Sequence, residues 1–225
     1  MTKEEIAKII DHTNLKANAT ADDIRRTCQE AKTYRFRGVC INPRWIKLAK
    51  QELKGTDIKV VTVIDWPVGA STTEARVAEA RQAQKDGASE IDPVMDIGDF
   101  KSGNYEEVLK DLKALARVLP AKVIIETGYL TEEEIKKAAE LVKESGAICV
   151  KTSTGAPPKV DIETKLNHVK LMREAVGSDF LIKAAGGIHS KEAVERMVLA
   201  GADIIGASAG VEIVTDKELS GEVGE

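Results

Sequence analysis

The feature that most constrains the fold is a regular alternation of short apolar segments and longer amphipathic ones. Eight short segments rich in Val, Ile and Ala read as strands: residues 10–15, 38–42, 59–64, 90–95, 122–127, 148–153, 180–185 and 203–208. Longer segments with helical periodicity separate them: residues 21–34, 43–53, 72–86, 105–118, 131–145, 162–176 and 191–200. Eight unbroken strand–helix units predict a (β/α)8 barrel of the α/β class.

An open, doubly wound sheet is the alternative fold. No Gly-x-Gly-x-x-Gly follows the first strand, which weakens a dinucleotide-binding interpretation. No Pro- or Gly-rich linker divides the chain, so we expect one domain over residues 1–225, with a frayed tail from about residue 215.

Composition excludes several classes of function. A net charge of −4 without a basic cluster argues against nucleic-acid binding, and no apolar run approaches the ~20 residues of a membrane span. Three cysteines, an odd number without metal-ligand spacing, favour a reducing cytoplasm and no metal. We therefore expect a cytoplasmic protein that needs no cofactor.

Two lysines lie inside segments that read as buried strands. Lys151 belongs to Val-Lys-Thr-Ser-Thr-Gly, and Lys183 to Leu-Ile-Lys-Ala-Ala-Gly-Gly on the next strand. Lysine is rarely buried without a partner or a task. An ammonium beside another in a dry site loses its proton more readily, and the neutral amine can form a Schiff base. The alternative is that each lysine extends along its strand to solvent.

Other polar residues interrupt the strand pattern. Asp92 is a charge in an apolar strand, where it could carry protons beside the lysines or neutralise one of them, and Asp96 follows in the loop. Asp11 and Thr13 close the first strand, where they could bind substrate hydroxyls or only cap a loop. Cys40 could face the interior, more as a small core residue than as a nucleophile.

Glycines follow the last two predicted strands. Gly186 and Gly187 run into a helix, and Gly206 opens Gly-Ala-Ser-Ala-Gly before a short final helix. Backbone amides at such positions form the usual phosphate site of this barrel. The alternative is that these glycines serve tight turns only.

Together these motifs resemble the 2-deoxyribose-5-phosphate aldolase family along nearly the whole chain. The matching segments are residues 11–16, 38–43, 60–64, 90–92, 124–127, 150–155 and 183–188. The resemblance implies a Schiff-base aldolase without metal or cofactor, often a homodimer. Its substrate would be 2-deoxy-D-ribose 5-phosphate, split reversibly into acetaldehyde and D-glyceraldehyde 3-phosphate.

The resemblance also implies roles for individual residues. Lys151 matches the Schiff-base lysine, Lys183 the second lysine that promotes its deprotonation and joins proton transfer, and Asp92 the carboxylate that relays protons through water. Positions matching substrate contacts are Asp11, Thr13, Cys40, Thr152, Gly155, Gly186, Gly187, Gly206 and Ser208.

Departures from the family pattern cluster at the predicted mouth of the barrel. Asp65 and Asp96 add carboxylates, His189 replaces a usual arginine, and Ala185 and Ala209 replace hydroxyls. These changes predict retained chemistry with weakened or altered phosphate recognition. A related Schiff-base aldolase or lyase, natural or engineered, with a different and non-phosphorylated aldehyde substrate is therefore an alternative. A binding protein that kept the barrel without turnover is another.

Overall fold

The computed structural model describes residues 1–215 as eight strands that alternate with helices. The strands are β1 Ile10–Asn14, β2 Gly38–Ile41, β3 Lys59–Ile64, β4 Glu90–Pro93, β5 Lys122–Ile124, β6 Cys149–Lys151, β7 Leu181–Ala185 and β8 Ile204–Ala207. The helices are α1 Lys3–Ala7, α2 Ala21–Tyr34, α3 Ile46–Glu52, α4 Thr73–Asp86, α5 Ile97–Lys101, α6 Tyr105–Ala116, α7 Glu132–Glu144, α8 Ile162–Val176, α9 Lys191–Ala200 and α10 Gly210–Thr215. Short 3₁₀ turns occupy Pro43–Trp45 and Thr127–Tyr129.

The sheet closes on itself, so the open-sheet alternative is excluded. All seven ladders are parallel, in the order β4-β3-β2-β1-β8-β7-β6-β5. The eighth contact, between β4 and β5, consists of two single bridges, Ile91 with Ala121 and Val94 with Ile124. The predicted (β/α)8 barrel is confirmed, with its weakest backbone pairing at this seam.

Strand alternation separates an apolar outer layer from a polar interior. The main hydrophobic core lies between strands and helices and includes Val39, Val123, Val150 and Ile182. Inside the barrel, apolar packing is limited to a small cluster of Cys40, Val61 and Val63. Charged side chains fill much of the remaining interior.

Side-chain caps mark the starts of α7 and α9. The Thr131 hydroxyl accepts from the Glu134 amide and the Glu134 carboxylate accepts from the Thr131 amide, which together form a capping box. The Ser190 hydroxyl caps α9. The short helices α1 and α5 were not predicted, because five residues are too few to show helical periodicity.

The predicted tail from about residue 215 onward falls on residues outside those that the structure describes, and the single-domain boundary stays a prediction. Within residues 1–215, no helix is long and apolar enough to cross a membrane.

Gly69 and Gly146 offer a matched test of backbone constraint, Gly69 in the loop after β3 and Gly146 in the loop before β6. Both have positive φ, +73° and +83°, but a Cβ on Gly69 would lie 2.7 Å from the Met95 carbonyl oxygen, whereas Gly146 faces open space. Gly146→Ala should lower the free energy of unfolding by about 1 kcal/mol. Gly69→Ala should lower the free energy of unfolding by about 1–3 kcal/mol more than Gly146→Ala does, as measured by denaturant unfolding. Equal losses would show that the clash relaxes without cost.

Candidate active site

A cavity of about 380 Å³ opens at the carboxyl ends of the strands. Its walls come from the ends of β6, β7 and β8 and from the loop between β6 and α8. Nine of the residues singled out from the sequence line it: Thr13, Lys151, Gly155, Ala185, Gly186, Gly187, His189, Gly206 and Ser208. Enzymes of this fold carry out their chemistry at this end of the barrel.

Lys151 is the lysine of the barrel interior that reaches the cavity. It ends β6, is 3% exposed, and its Nζ lies 2.8 Å from Asp92 Oδ2. Lys183 stands opposite it in the β6–β7 register but is fully buried and does not line the cavity. The two lysines are therefore close, with one facing substrate space and the other behind it.

Asp92 joins three lysines. Its Oδ2 accepts from Lys151 at 2.8 Å and from Lys183 at 2.9 Å, while its Oδ1 lies 2.9 Å from Lys122 Nζ. Burial alone would raise the pKa of Asp92, but Lys122, Lys151 and Lys183 outweigh it and hold that pKa well below its ordinary value. Asp92 is thus a fixed carboxylate at the base of the cavity.

Lys183 is held in its charged form. Burial lowers its pKa, but Asp11 at 2.5 Å and Asp92 outweigh that effect and raise it above the ordinary value. The same balance raises the pKa of Lys122, which is fully buried between Asp92 and Glu90. Lys183 therefore faces Lys151 as a persistent ammonium whose charge is already matched by two carboxylates.

Three members of this cluster were not singled out from the sequence. Lys122, Glu90 and Arg37 lie at strand starts, where charged residues ordinarily reach solvent, so they gave no signal of burial. Arg37 Nη1 donates to Asp11 Oδ1 at 2.7 Å, and its Nη2 donates to both Glu90 oxygens at 2.8 Å. Lys122 Nζ donates to Glu90 Oε2 at 2.7 Å.

Three predicted substrate contacts lie away from the cavity. Asp11 does not close β1, which continues to Asn14, so its carboxylate is buried among Lys183, Arg37 and Lys122. Cys40 is fully buried in the interior apolar cluster, where burial raises its thiol pKa. Thr152 is buried and pairs with the backbone of Ala185 on β7.

The glycines beside the cavity meet specific neighbours. Gly155, Gly186 and Gly187 all have positive φ, which an L side chain rarely adopts. A Cβ on Gly186 would lie 3.2 Å from Lys165 Nζ, and one on Gly206 would lie 3.1 Å from Lys183 Cε. The glycines leave room for two lysine side chains as well as for the cavity.

Lys165 is a cavity residue that sequence reasoning missed. It lies in the first turn of α8, is 3% exposed, and donates to the carbonyl oxygens of Ala185, at 3.0 Å, and Gly186. Burial lowers its pKa, against a weaker opposing effect of Glu126. Its hydrogen-bond acceptors are both uncharged, so within the described part of the chain its ammonium has no bonded carboxylate.

Glu126 fixes the loop that forms this side of the cavity. Its Oε2 accepts from the Thr154 amide at 2.9 Å and from the Thr154 hydroxyl at 2.5 Å. Its backbone is left-handed, with φ of +45°, at the end of β5. Because Glu126 has a strained backbone and its carboxylate holds Thr154 by two hydrogen bonds, the position of Thr154 and Gly155 is tightly determined.

The two added carboxylates at the mouth are occupied by local contacts. Asp65 accepts from the amide and hydroxyl of Ser71, both at 2.8 Å. Asp96 caps α5 by accepting from the Asp99 amide. Neither lines the cavity, whereas His189 does. The structure therefore does not bring Asp65 and Asp96 to the cavity, whereas it places Lys165 on the cavity wall.

Two further observations concern histidine and metal sites. His168 is buried on α8, where burial lowers its pKa. Among residues 1–215, no group of three or more His, Cys, Asp or Glu side chains has the arrangement of a metal site.

The closed barrel and its cavity define an enzyme of the (β/α)8 class, and comparison with known proteins specifies the family. A family model described as DeoC/LacD family aldolase matches residues 6–216. Deoxyribose-phosphate aldolase of Aciduliprofundum boonei is 50% identical over 224 residues, covering 97% of this chain and 100% of that protein. Deoxyribose-phosphate aldolase of Clostridium botulinum is 51% identical over 213 residues, covering 93% and 99%.

A solved structure agrees with these matches. The tetrameric deoxyribose phosphate aldolase from Aeropyrum pernix superposes with a TM-score of 0.85 at 29% identity, covering 96% of this chain and 92% of that one. The chain belongs to the DeoC/LacD family of aldolases, and the protein is accordingly a carbon–carbon lyase.

The buried Asp11 carboxylate predicts a specific acid sensitivity. Burial would raise its pKa, but Lys183, Lys122 and Arg37 lower it from 3.8 to about 2. Because the folded-state pKa is depressed, its stabilisation is complete above pH ~4 and is lost as the pH falls towards ~2, by about 2 kcal/mol.

Asp11→Asn should therefore be less stable than the wild type at neutral pH, and the difference should shrink between pH ~4 and ~2. Denaturant unfolding across this range measures it, with Asp57→Asn at an exposed position as the control. A difference that stays constant with pH would contradict a charged Asp11 in the folded state.

Proposed function

We propose that this protein is a class I aldolase that reversibly cleaves 2-deoxy-D-ribose 5-phosphate to acetaldehyde and D-glyceraldehyde 3-phosphate. The observation that carries the proposal is that one cavity is lined by the side-chain nitrogens of both Lys151 and Lys165. The first is a nucleophile for a carbonyl and the second is a ligand for an anion.

The proposed reaction uses the neutral amine of Lys151 as its nucleophile. Neutral Lys151 adds to the aldehyde carbon of the open-chain sugar, and loss of water leaves an iminium. When a base removes the proton of the 3-hydroxyl, the C2–C3 bond breaks and its electrons pass into the iminium, giving an enamine and D-glyceraldehyde 3-phosphate. Protonation of the enamine at C2 and hydrolysis release acetaldehyde and restore the amine.

Asp92 supports both proton steps in this proposal. Its Oδ2 lies 2.8 Å from Lys151 Nζ, within reach of the reacting centre through one water. Lys183 holds the same oxygen at 2.9 Å and keeps it ionised, so Asp92 accepts a proton transiently and returns it. We assign the relay to Asp92, Lys183 and a water.

The phosphate would lie at the opposite side of the cavity. Lys165, Gly155 and Gly186 converge there, and a Cβ on Gly186 would come within 3.4 Å of the Gly155 Cα. A dianion in this place would give Lys165 a bonded charged partner, which it lacks among residues 1–215. This arrangement favours the phosphorylated substrate over the unphosphorylated alternative.

The relatives bear on substrate and assembly. Those of Aciduliprofundum boonei and Clostridium botulinum are named deoxyribose-phosphate aldolases, and the Aeropyrum pernix protein is tetrameric. We propose the same substrate for this chain, a role in carbohydrate catabolism in the cytoplasm, and assembly as a homo-oligomer, with a dimer as the smallest form.

Reductive trapping tests the Schiff base. Borohydride with acetaldehyde should give a stable adduct on Lys151, mapped by peptide mass spectrometry, and Lys151→Ala should lose both adduct and turnover. Lys159→Ala, which removes an exposed lysine that lines the same cavity, should keep the Lys151 adduct. Label spread over surface lysines, with none at Lys151, would indicate a binding protein instead.

Substrate comparison tests the phosphate side. Lys165→Met should lower kcat/KM for deoxyribose 5-phosphate by about 10- to 100-fold, because a charge-assisted contact is lost. Turnover of unphosphorylated deoxyribose should change by less than about threefold, because this substrate has no phosphate for Lys165 to contact. Lys170→Met, at an exposed position on the same helix, is the control. Equal losses on both substrates would place Lys165 outside phosphate recognition.

A further inference from the structure

The buried charges of the barrel form a closed ring of alternating sign. In order around the ring the members are Arg37, Glu90, Lys122, Asp92, Lys183 and Asp11, and Asp11 returns to Arg37. Each link is an ion pair of 2.5–2.9 Å. Three cations and three carboxylates make the ring electrically neutral by itself.

Lys151 is a seventh group attached to this ring. It contacts one member, Asp92, through an oxygen that Lys183 already shares, while Lys122 occupies the other oxygen. If all seven groups were ionised, the ring and Lys151 together would carry one uncompensated positive charge. An unbalanced buried charge is costly, and a proton is most easily lost where the carboxylate contact is weakest.

The cavity position makes Lys151 the group that relieves this imbalance. The ring cations each have two carboxylate partners, whereas Lys151 has one that it shares. Lys151 also borders the cavity, where a released proton can leave. A neutral amine at Lys151 leaves the ring intact and balanced.

We propose that the half of the ring distant from the cavity, Arg37, Glu90 and Lys122, sets the fraction of Lys151 that exists as free amine. None of these three side chains lines the cavity, so they act through Asp92 and Asp11 as positioning residues. The catalytic consequence rests on the proposed function, but the protonation state of Lys151 does not.

Other groups near Lys151 are the same in every variant proposed below. Burial raises the thiol pKa of Cys40, on the β2 side, so the thiol is neutral at neutral pH. Glu126, beyond the end of β5, is bonded to Thr154, and its charge interacts with both Lys151 and Lys165 while burial raises its pKa. Lys165, from α8, lines the same cavity.

Adding or removing one charge in the distant half should therefore shift the protonation of Lys151 in opposite directions. Lys122→Met leaves the ring with one excess negative charge, which stabilises an ammonium at Lys151. Glu90→Gln leaves one excess positive charge, which stabilises the free amine. The double variant restores neutrality. Damage to packing alone would reduce activity in all three and would not produce opposite signs.

The experiment reads the protonation of Lys151 without turnover. Competitive labelling with acetic anhydride across pH ~5 to ~11, with peptide mapping, gives the pH at which Lys151 becomes reactive. Relative to the wild type, Lys122→Met should raise this midpoint by about one pH unit or more, and Glu90→Gln should lower it by a similar amount. The double variant should return to within about half a unit of the wild type. Exposed Lys170 in the same sample is the internal standard.

Kinetics supply the second readout. The ascending limb of kcat/KM against pH should follow the labelling midpoint, so Lys122→Met loses about tenfold at neutral pH and recovers in alkali. Arg37→Met, at the partly exposed edge of the ring, should act as Lys122→Met does and replaces it if that variant does not fold. Midpoints that move in the same direction, or do not move, overturn the proposal. Failure of borohydride trapping with shifted midpoints would instead overturn only the aldolase chemistry.

Discussion

Compensation of charge inside a closed barrel is the constraint on which the rest of this structure depends. Fully buried groups such as Asp92, Lys122 and Lys183 have given up hydration, and only close opposite charges offset that cost. The requirement extends to residues without charge. A Cβ on Gly38 would lie 2.8 Å from Asp11 Oδ1, and one on Gly206 would lie 3.1 Å from Lys183 Cε. Glycine at these two positions makes room for the ion pairs.

The sequence predicted the fold correctly and pointed to three of the buried charges, because both leave a visible periodic pattern. Apolar strands and amphipathic helices have distinct periods, and a charge within an apolar strand, as at Lys151, Lys183 or Asp92, breaks the pattern visibly. Lys122 and Glu90 are buried too, but they begin their strands, where a charge looks ordinary. Their burial depends on how neighbouring strands stagger, which one strand's sequence does not contain.

Residues at the mouth of the barrel were harder to predict from the sequence. Asp65 and Asp96 follow strands and therefore looked like cavity residues, yet local amides and hydroxyls already satisfy them. Lys165 looked like part of a helical surface, yet it lies in the first turn of α8 against the cavity. The helix dipole disfavours a cation near a helix N-terminus, so a bound anion would stabilise the charge of Lys165 there.

The seam between β4 and β5 combines the sparsest backbone pairing of the barrel with ion pairs of the buried ring. Two single bridges join the backbones there, while Lys122 on β5 forms ion pairs with Glu90 and Asp92 on β4. Hydrogen exchange through local opening would be expected to begin at such a sparsely bonded edge. Any opening that separates these strands also parts Lys122 from the carboxylate that serves Lys151. If Lys151 and Asp92 carry the proposed reaction, molecules opened at this seam would be inactive until the strands pair again.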